Sequence, residues 1–246
     1  PLRDIEIIMT ELGLADLDAV AKRRQRIEKV AKSGNKEAKA ELDVLLKVEA
    51  CLSEGKPARL VELTPEEEAL IRELNLLTRK PVLYVANIGE DEISDPLANP
   101  HVVRVKELAE SEGAQWVTIS AAIEAEIAEL SPEEAKVFLE DLGEEEAGLD
   151  RLIKAAYSLL GLINFFTAGS DECRAWTIVE GTKAPQAAGK IHTDIERGFI
   201  RAEIVSYDDL IAAGSMTKAR EEGVLRLEGK DYVMRDGDVT YFRFNV

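Results

Sequence analysis

The chain has 246 residues, 46% hydrophobic, 32% charged and 5% aromatic. This composition excludes a disordered or collagen-like chain, and no apolar run approaches the ~20 residues a bilayer span requires. Two cysteines and two histidines exclude a disulfide scaffold and leave little for a Cys- or His-based metal site. No charged-then-apolar leader opens the chain, so a cytoplasmic location is expected. The net charge of −17 is uneven: residues 1–80 are near neutral, 81–160 carry 18 acidic against 5 basic residues, and 161–246 carry 14 against 11. An acidic middle surface repels nucleic acid.

Residues 1–80 read as mainly helical. Ile5, Ile8, Leu12, Ala15 and Ala19 recur at helical spacing, continued by Ile27, Val30 and Ala31. Ser33-Gly34-Asn35 breaks the pattern, and Ala38, Leu42, Leu45, Val48 and Leu52 form a second stripe. The two stripes predict an antiparallel, coiled-coil-like hairpin with Gly34 at its tip. Between them lies a basic strip that includes Arg23, Arg24 and Arg26. Such a strip is either a solvated helix face or a contact for RNA phosphates. Thr64-Pro65-Glu66-Glu67 predicts a capping box opening a third helix, with Leu70, Ile71, Leu74 and Leu77 on its buried side.

Residues 81–160 change grammar. Val82–Ala86 is an unbroken apolar run, as in a strand of a parallel sheet buried on both faces. Pro100–Glu112 predicts a helix stopped at Gly113, Gln115–Ser120 a second strand, Ser131–Glu134 another capping box, and Leu149–Leu160 a last helix. Strand, helix, strand, helix is α/β order, yet two strands are too few for a stable doubly wound sheet. Earlier strands are therefore expected before Pro1 or from another chain.

Residues 161–246 predict a small mixed sheet over one helix, a β-grasp-like module. Asn164–Ala168 and Arg174–Val179 read as paired strands, Gln186–Thr193 as a short helix and Phe199–Ser206 as a strand. Asp236-Gly237-Asp238 between Tyr232–Arg235 and Val239–Phe244 predicts a hairpin.

Asn87-Ile88-Gly89-Glu90 follows the first strand of the middle segment, and Ser120-Ala121-Ala122 follows the second. Strand C-terminal edges are where α/β sheets bind ligands. The pair resembles the base-recognition and Ser-Ala loops of P-loop GTPases, with Ile88 in place of the usual Lys and Glu90 in place of the base-reading Asp. The longer Glu side chain moves the carboxylate, which weakens guanine readout and predicts an adenine-tolerant pocket.

With Ala184–Asp194, Gly198–Ala202 and Glu228–Val233 added, the chain resembles the YchF-type Obg-like ATPases of the Obg-related P-loop GTPase superfamily along its whole length. The resemblance implies a partial G domain at 81–160 (the parallel α/β part, carrying the base-binding loops), an inserted helical hairpin at 1–80, and a TGS domain of β-grasp type at 161–246. It implies an ATPase that binds GTP more weakly, associates with ribosomes or ribosomal RNA and belongs to translation and stress responses. No membrane or DNA partner is expected. Asn87, Ile88, Glu90, Ser120, Ala121 and Ala122 are the base-binding candidates that it implies.

No Gly-x-x-x-x-Gly-Lys-Ser/Thr occurs here, so phosphates lack a backbone cradle and Mg²⁺ lacks its hydroxyl ligand. The intact family protein is expected to hydrolyse ATP or GTP, with Mg²⁺ entering only alongside the preceding part. This chain by itself is expected to be inactive, with no catalytic or metal residue. Lys190, Arg197 and Arg201 join Arg23, Arg24 and Arg26 as candidate RNA contacts. The alternative is a non-catalytic RNA- or ribosome-binding module of hairpin plus TGS domain. His192 reads as a structural or RNA-contacting residue, His101 as solvent-facing, and Cys51, Trp116 and Trp176 as core.

Overall fold

Asn35 starts the second of two long helices because its side chain accepts from the Ala38 N–H at 3.0 Å, meeting a donor the helix cannot. The structure, a computed structural model, describes residues 1–169 and 172–245 and divides into two units, Pro1–Ala155 and Ala156–Val246. In the first unit, helix α1 (Leu2–Lys32) and helix α2 (Lys36–Ser53) meet through Val20, Val44, Leu45, Val48 and Leu52. Gly34, between them, sits at φ +93°, a conformation that a side chain would strain. Ile5, Ile27 and Ala31 of the predicted stripe pack inward, but in the middle of α1 the buried positions lie one residue beyond the predicted Ala15 and Ala19. Asp16 and Val20 are buried, whereas Ala15 and Ile8 are exposed. A carboxylate in that stripe conceals it from an apolar count.

Helix α3 (Pro65–Ile71) opens with the predicted capping box, Thr64 and Glu67 exchanging bonds of 3.3 and 3.0 Å. Ile71 is buried, but Leu77 is 42% exposed, because the helix has ended and short 3₁₀ turns carry the chain onward.

Strand β1 (Leu83–Asn87) and strand β2 (Gln115–Ile119) pair in parallel from Leu83↔Gln115 to Asn87↔Ile119. Helix α4 (Pro100–Glu112) links them and stops at Gly113 in the left-handed region, φ +66°. Among the described residues this sheet has two strands, and Val85 is 45% exposed, so the predicted two-sided burial is only partial. Helices α5 (Ala121–Ile127), α6 (Pro132–Leu142) and α7 (Gly148–Leu159) follow. Ile88, Ile93, Val102 and Ile123 close the core beside the sheet.

The second unit holds β3 (Leu162–Ala168), β4 (Cys173–Val179), α8 (Ala184–Ile191), α9 (Thr193–Arg197), β5 (Phe199–Ser206), α10 (Tyr207–Ala213), α11 (Met216–Glu221), β6 (Arg226–Glu228) and β7 (Asp238–Phe244). The strand order is β4-β3-β7-β5-β6, with β7 parallel to β3 and antiparallel to β5. On one face Ala184, Ala187 and Ala188 of α8 pack on Phe165, Ile178, Ile204 and Phe242; elsewhere Ala213 of α10 and Ala219 of α11 pack on Val205 and Val239.

The hairpin predicted at Asp236-Gly237-Asp238 is absent. Val233 instead bridges Lys183, and β7 enters the middle of the sheet. The buried Asp238 carboxylate accepts from the Tyr232 hydroxyl and the Arg235 N–H, both at 2.9 Å, so the segment folds back on itself before the strand begins. The fold is mixed α/β, with one parallel and one mixed sheet. No helix among the described residues is long and apolar enough to cross a membrane.

Candidate functional site

Parallel pairing of β1 and β2 brings both strand ends to one edge, and two hydrogen bonds tie the loops beyond them. The Ile88 N–H donates to the Ile119 carbonyl at 2.9 Å. The Asn87 side-chain oxygen accepts from the Ala121 N–H at 3.0 Å. Asn87 is thus spent on holding the second loop against the first, and its amide nitrogen remains for a ligand. The Ile88 side chain is buried against Ile93, Val102 and Ile123.

Glu90 is exposed at the start of a 3₁₀ turn, Glu90–Glu92, that Glu92 braces by accepting from the Gly89 N–H at 2.9 Å and from Asn99 at 2.7 Å. Ser120 is buried, and its hydroxyl has no hydrogen-bond partner among the described residues. Ala121 and Ala122 are exposed at the first turn of α5. Six sequence positions in two groups thirty residues apart are thereby brought to one edge, with the Glu90 side chain and the small Ala121 and Ala122 side chains exposed.

A Cβ at Gly148, the first residue of α7, would stand 2.8 Å from Glu124 Oε1 and 3.1 Å from the Ile119 side chain. The Gly148 N–H donates to that same Glu124 oxygen at 2.8 Å, anchoring α5 behind the Ser120 loop. Neither Glu124 nor Gly148 stands out in sequence, since the contact joins residues 24 apart.

The candidate RNA contacts are not gathered in this way. Arg23 bonds the nearly buried Glu41 at 2.5 Å, an interaction that raises its pKa. Arg24 forms an ion pair with Glu49 at 2.8 Å, with geometry short of a hydrogen bond. Both arginines stitch α1 to α2. Arg26 is exposed on α1, Lys190 on α8, Arg197 on α9 and Arg201 on β5. His192 caps α9, its Nδ1 accepting from the Asp194 N–H at 3.2 Å. His101 is exposed, and the Cys51 thiol lies 3.6 Å from the Pro57 carbonyl.

Sequence reading also misses an ionic knot in the second unit. Glu203, buried on β5, bonds Arg243 at 3.0 Å and Arg220 at 2.7 Å. Burial raises its pKa, and the two guanidiniums outweigh that effect, leaving it below the usual carboxylate range. The cross-strand pair Arg201↔Arg243 offers a hint only once the register is known.

Residues 162–245 match a family model described as the C-terminal part of YchF GTPases, "Protein of unknown function (DUF933)". The whole chain is 54% identical to the ribosome-binding ATPase YchF of Bacillus subtilis and covers 67% of it. It is 41% identical to Obg-like ATPase 1 of Rattus norvegicus, of which it covers 63%. The solved structure of the Schizosaccharomyces pombe YchF GTPase superposes with a TM-score of 0.86 at 36% identity, over 99% of this chain and 66% of that one. The chain therefore spans about two thirds of the length of the relatives it matches. Identity of this extent along every residue, with a matching fold, makes the chain a member of the YchF family of Obg-like ATPases.

Proposed function

We propose that this chain supplies the base-binding portion of a nucleotide-hydrolysing domain, together with a helical arm (1–80) and a TGS module (161–246), in a cytoplasmic, ribosome-associated ATPase that takes GTP more weakly. The observation that supports this reading is the Asn87–Ala121 bond at the C-terminal edge of two parallel strands, which ties together the loops that carry Ile88, Glu90, Ser120 and Ala122. Relatives named ribosome-binding ATPase support the wider reading.

The residues fit a purine. The Asn87 amide nitrogen and the Ala122 N–H can donate, the Ile88 carbonyl and the Glu90 carboxylate can accept, and Ala121 and Ala122 admit a flat ring. ATP, when bound, brings the phosphoanhydride that is cleaved. This chain orients the base and thereby the phosphates, and no hydrolytic step is assigned to its own residues. Among the described residues no three His, Cys, Asp or Glu side chains stand together as metal ligands, so no step is assigned to Mg²⁺.

The exposed Val85 and an edge of β1 that is unpaired among the described residues support a sheet that continues with strands outside this chain. Fusing the third of the Bacillus subtilis relative that this chain does not cover to this chain tests the reading. The chimera should hydrolyse ATP and prefer it to GTP, and Asn87→Ala should weaken nucleotide binding about tenfold, the worth of one hydrogen bond in a loop clamp. A chimera that strongly prefers GTP, or is indifferent to Asn87→Ala, overturns it.

A further inference from the structure

The loop that leaves β1 is tied to a helix that follows it. Gly89, between Ile88 and Glu90, donates its N–H to Glu92 Oε2 at 2.9 Å, and the other oxygen of that carboxylate accepts from the Asn99 amide at 2.7 Å. The Asn99 side-chain oxygen accepts in turn from the His101 N–H at 2.8 Å, capping α4. The residue that precedes Glu90 is thereby linked through two side chains to the N-terminus of a helix of 13 residues.

These side-chain bonds are the short ones. The backbone bonds of the turn are longer: the Glu92 N–H reaches the Gly89 carbonyl at 3.2 Å and the Ile93 N–H the Glu90 carbonyl at 3.4 Å. A 3₁₀ turn of this size has poor hydrogen-bond geometry of its own. Glu90, Asp91 and Glu92 are three consecutive carboxylates, which repel one another. Glu90 and Asp91 are exposed, whereas Glu92 is half-buried. A charged acceptor makes the stronger kind of hydrogen bond, so Glu92 is the residue that fixes the backbone of the turn.

We infer that Glu92, held by Asn99, is a positioning residue for base selection: it sets the backbone from which Glu90 projects, and so where that carboxylate stands, without touching the base itself. The inference rests on the proposed place of Glu90 beside the base. A Glu side chain has more rotamers than Asp, and a braced turn confines where its carboxylate can go. Guanine offers a ring N–H and an amine as neighbouring donors, and a carboxylate free to roam can find both. Adenine offers one amine, flanked by ring acceptors that repel a carboxylate. Loss of the brace therefore shifts the preference towards GTP.

The chimera with the Bacillus subtilis third tests this, titrated by calorimetry with the non-hydrolysable analogues AMPPNP and GMPPNP. Glu92→Ala should lower the preference for AMPPNP roughly fivefold, the worth of about one hydrogen bond. Asn99→Asp keeps the cap on α4 but sets a second carboxylate against Glu92, and should act alike. Glu92→Gln combined with Asn99→Asp exchanges donor and acceptor, so the Gln amide donates to the Asp, and should restore the preference to within about twofold, whereas two independent losses would add. In the 246-residue chain, Glu92→Ala should speed hydrogen exchange at the Gly89 amide. Unchanged Gly89 exchange, or a double variant no better than Asn99→Asp, overturns the inference. A preference unmoved by Glu92→Ala while Asn87→Ala still weakens binding overturns the inference alone. A chimera indifferent to Asn87→Ala as well, or binding neither analogue, removes the base site and the inference with it.

Discussion

Asp16 and Thr78, 62 residues apart, are joined twice: the buried carboxylate accepts from the Thr78 N–H and from its hydroxyl, both at 2.7 Å. It also accepts from the Leu77 N–H at 2.8 Å, and the Thr78 hydroxyl accepts in turn from the Ala58 N–H at 3.0 Å. One side chain on α1 thus fixes the turn that feeds directly into β1 and Asn87.

Asp16→Ala leaves three donors without their acceptor in a buried place, and an orphaned buried group costs about 1–3 kcal/mol. A loss of roughly 3 kcal/mol is expected in urea unfolding. Asp16→Asn keeps an oxygen acceptor and should lose less. Equal losses for the two variants would remove the latch role.

Tyr84, on β1, donates to Glu112 at 2.9 Å, and Glu112 also meets Arg59 at 3.2 Å. Burial first, and then the Glu112 carboxylate, push the Tyr84 hydroxyl up to about 12. A raised folded-state value means the unfolded chain releases this proton first. Stability is complete below about pH 10 and falls as pH rises from 10 to 12. Unfolding free energies at pH 9 and 11.5 should differ by about 2 kcal/mol more in the native chain than in Tyr84→Phe. Tyr232, raised by burial and by Asp238, titrates in the same direction.

Arg23 and Arg26 separate the two roles of the basic strip. Arg23→Glu sets two carboxylates together at Glu41 and should lower the melting temperature by several degrees, with a cost of about 1–2 kcal/mol. Arg26→Glu, at an exposed position, should leave melting unchanged and reduce co-sedimentation with ribosomes at low salt. Unaltered co-sedimentation would make the strip a solvated face.

Glu203 answers to acid. Its folded-state pKa lies below the unfolded one, so its stabilisation is present above the ordinary carboxylate range and disappears as pH falls through the folded value. Replacing Arg220 and Arg243 together by Met leaves a buried charge unpaired and should cost about 3 kcal/mol at pH 7. That cost should shrink at acidic pH, where the carboxylate is neutral, as measured by urea unfolding across pH.

Features set by neighbours in the chain were legible. The Thr64–Glu67 and Ser131–Glu134 boxes, the Gly113 stop and the Asn35 turn each depend on residues three or four apart, and all stand where their chemistry places them. The two loops after β1 and β2 were legible as motifs, although their junction through Asn87 and Ala121 was not. Features set by distant partners were hidden. Asp236-Gly237 carries a local hairpin signal, yet β7 finds its partners in β3 and β5, far back in sequence, and the sheet outweighs the turn. Asp16 reads as a surface charge until Thr78 is known to face it.

The bare side of Leu83–Asn87 has a bearing on how this polypeptide behaves in a tube. A row of N–H and C=O groups with no ladder partner among the described residues invites a second copy to dock edge to edge. The charge of −17 keeps copies apart at low ionic strength, and salt shortens the reach of that repulsion. Clustering should therefore grow with added salt, the reverse of what an assembly held by ion pairs would do.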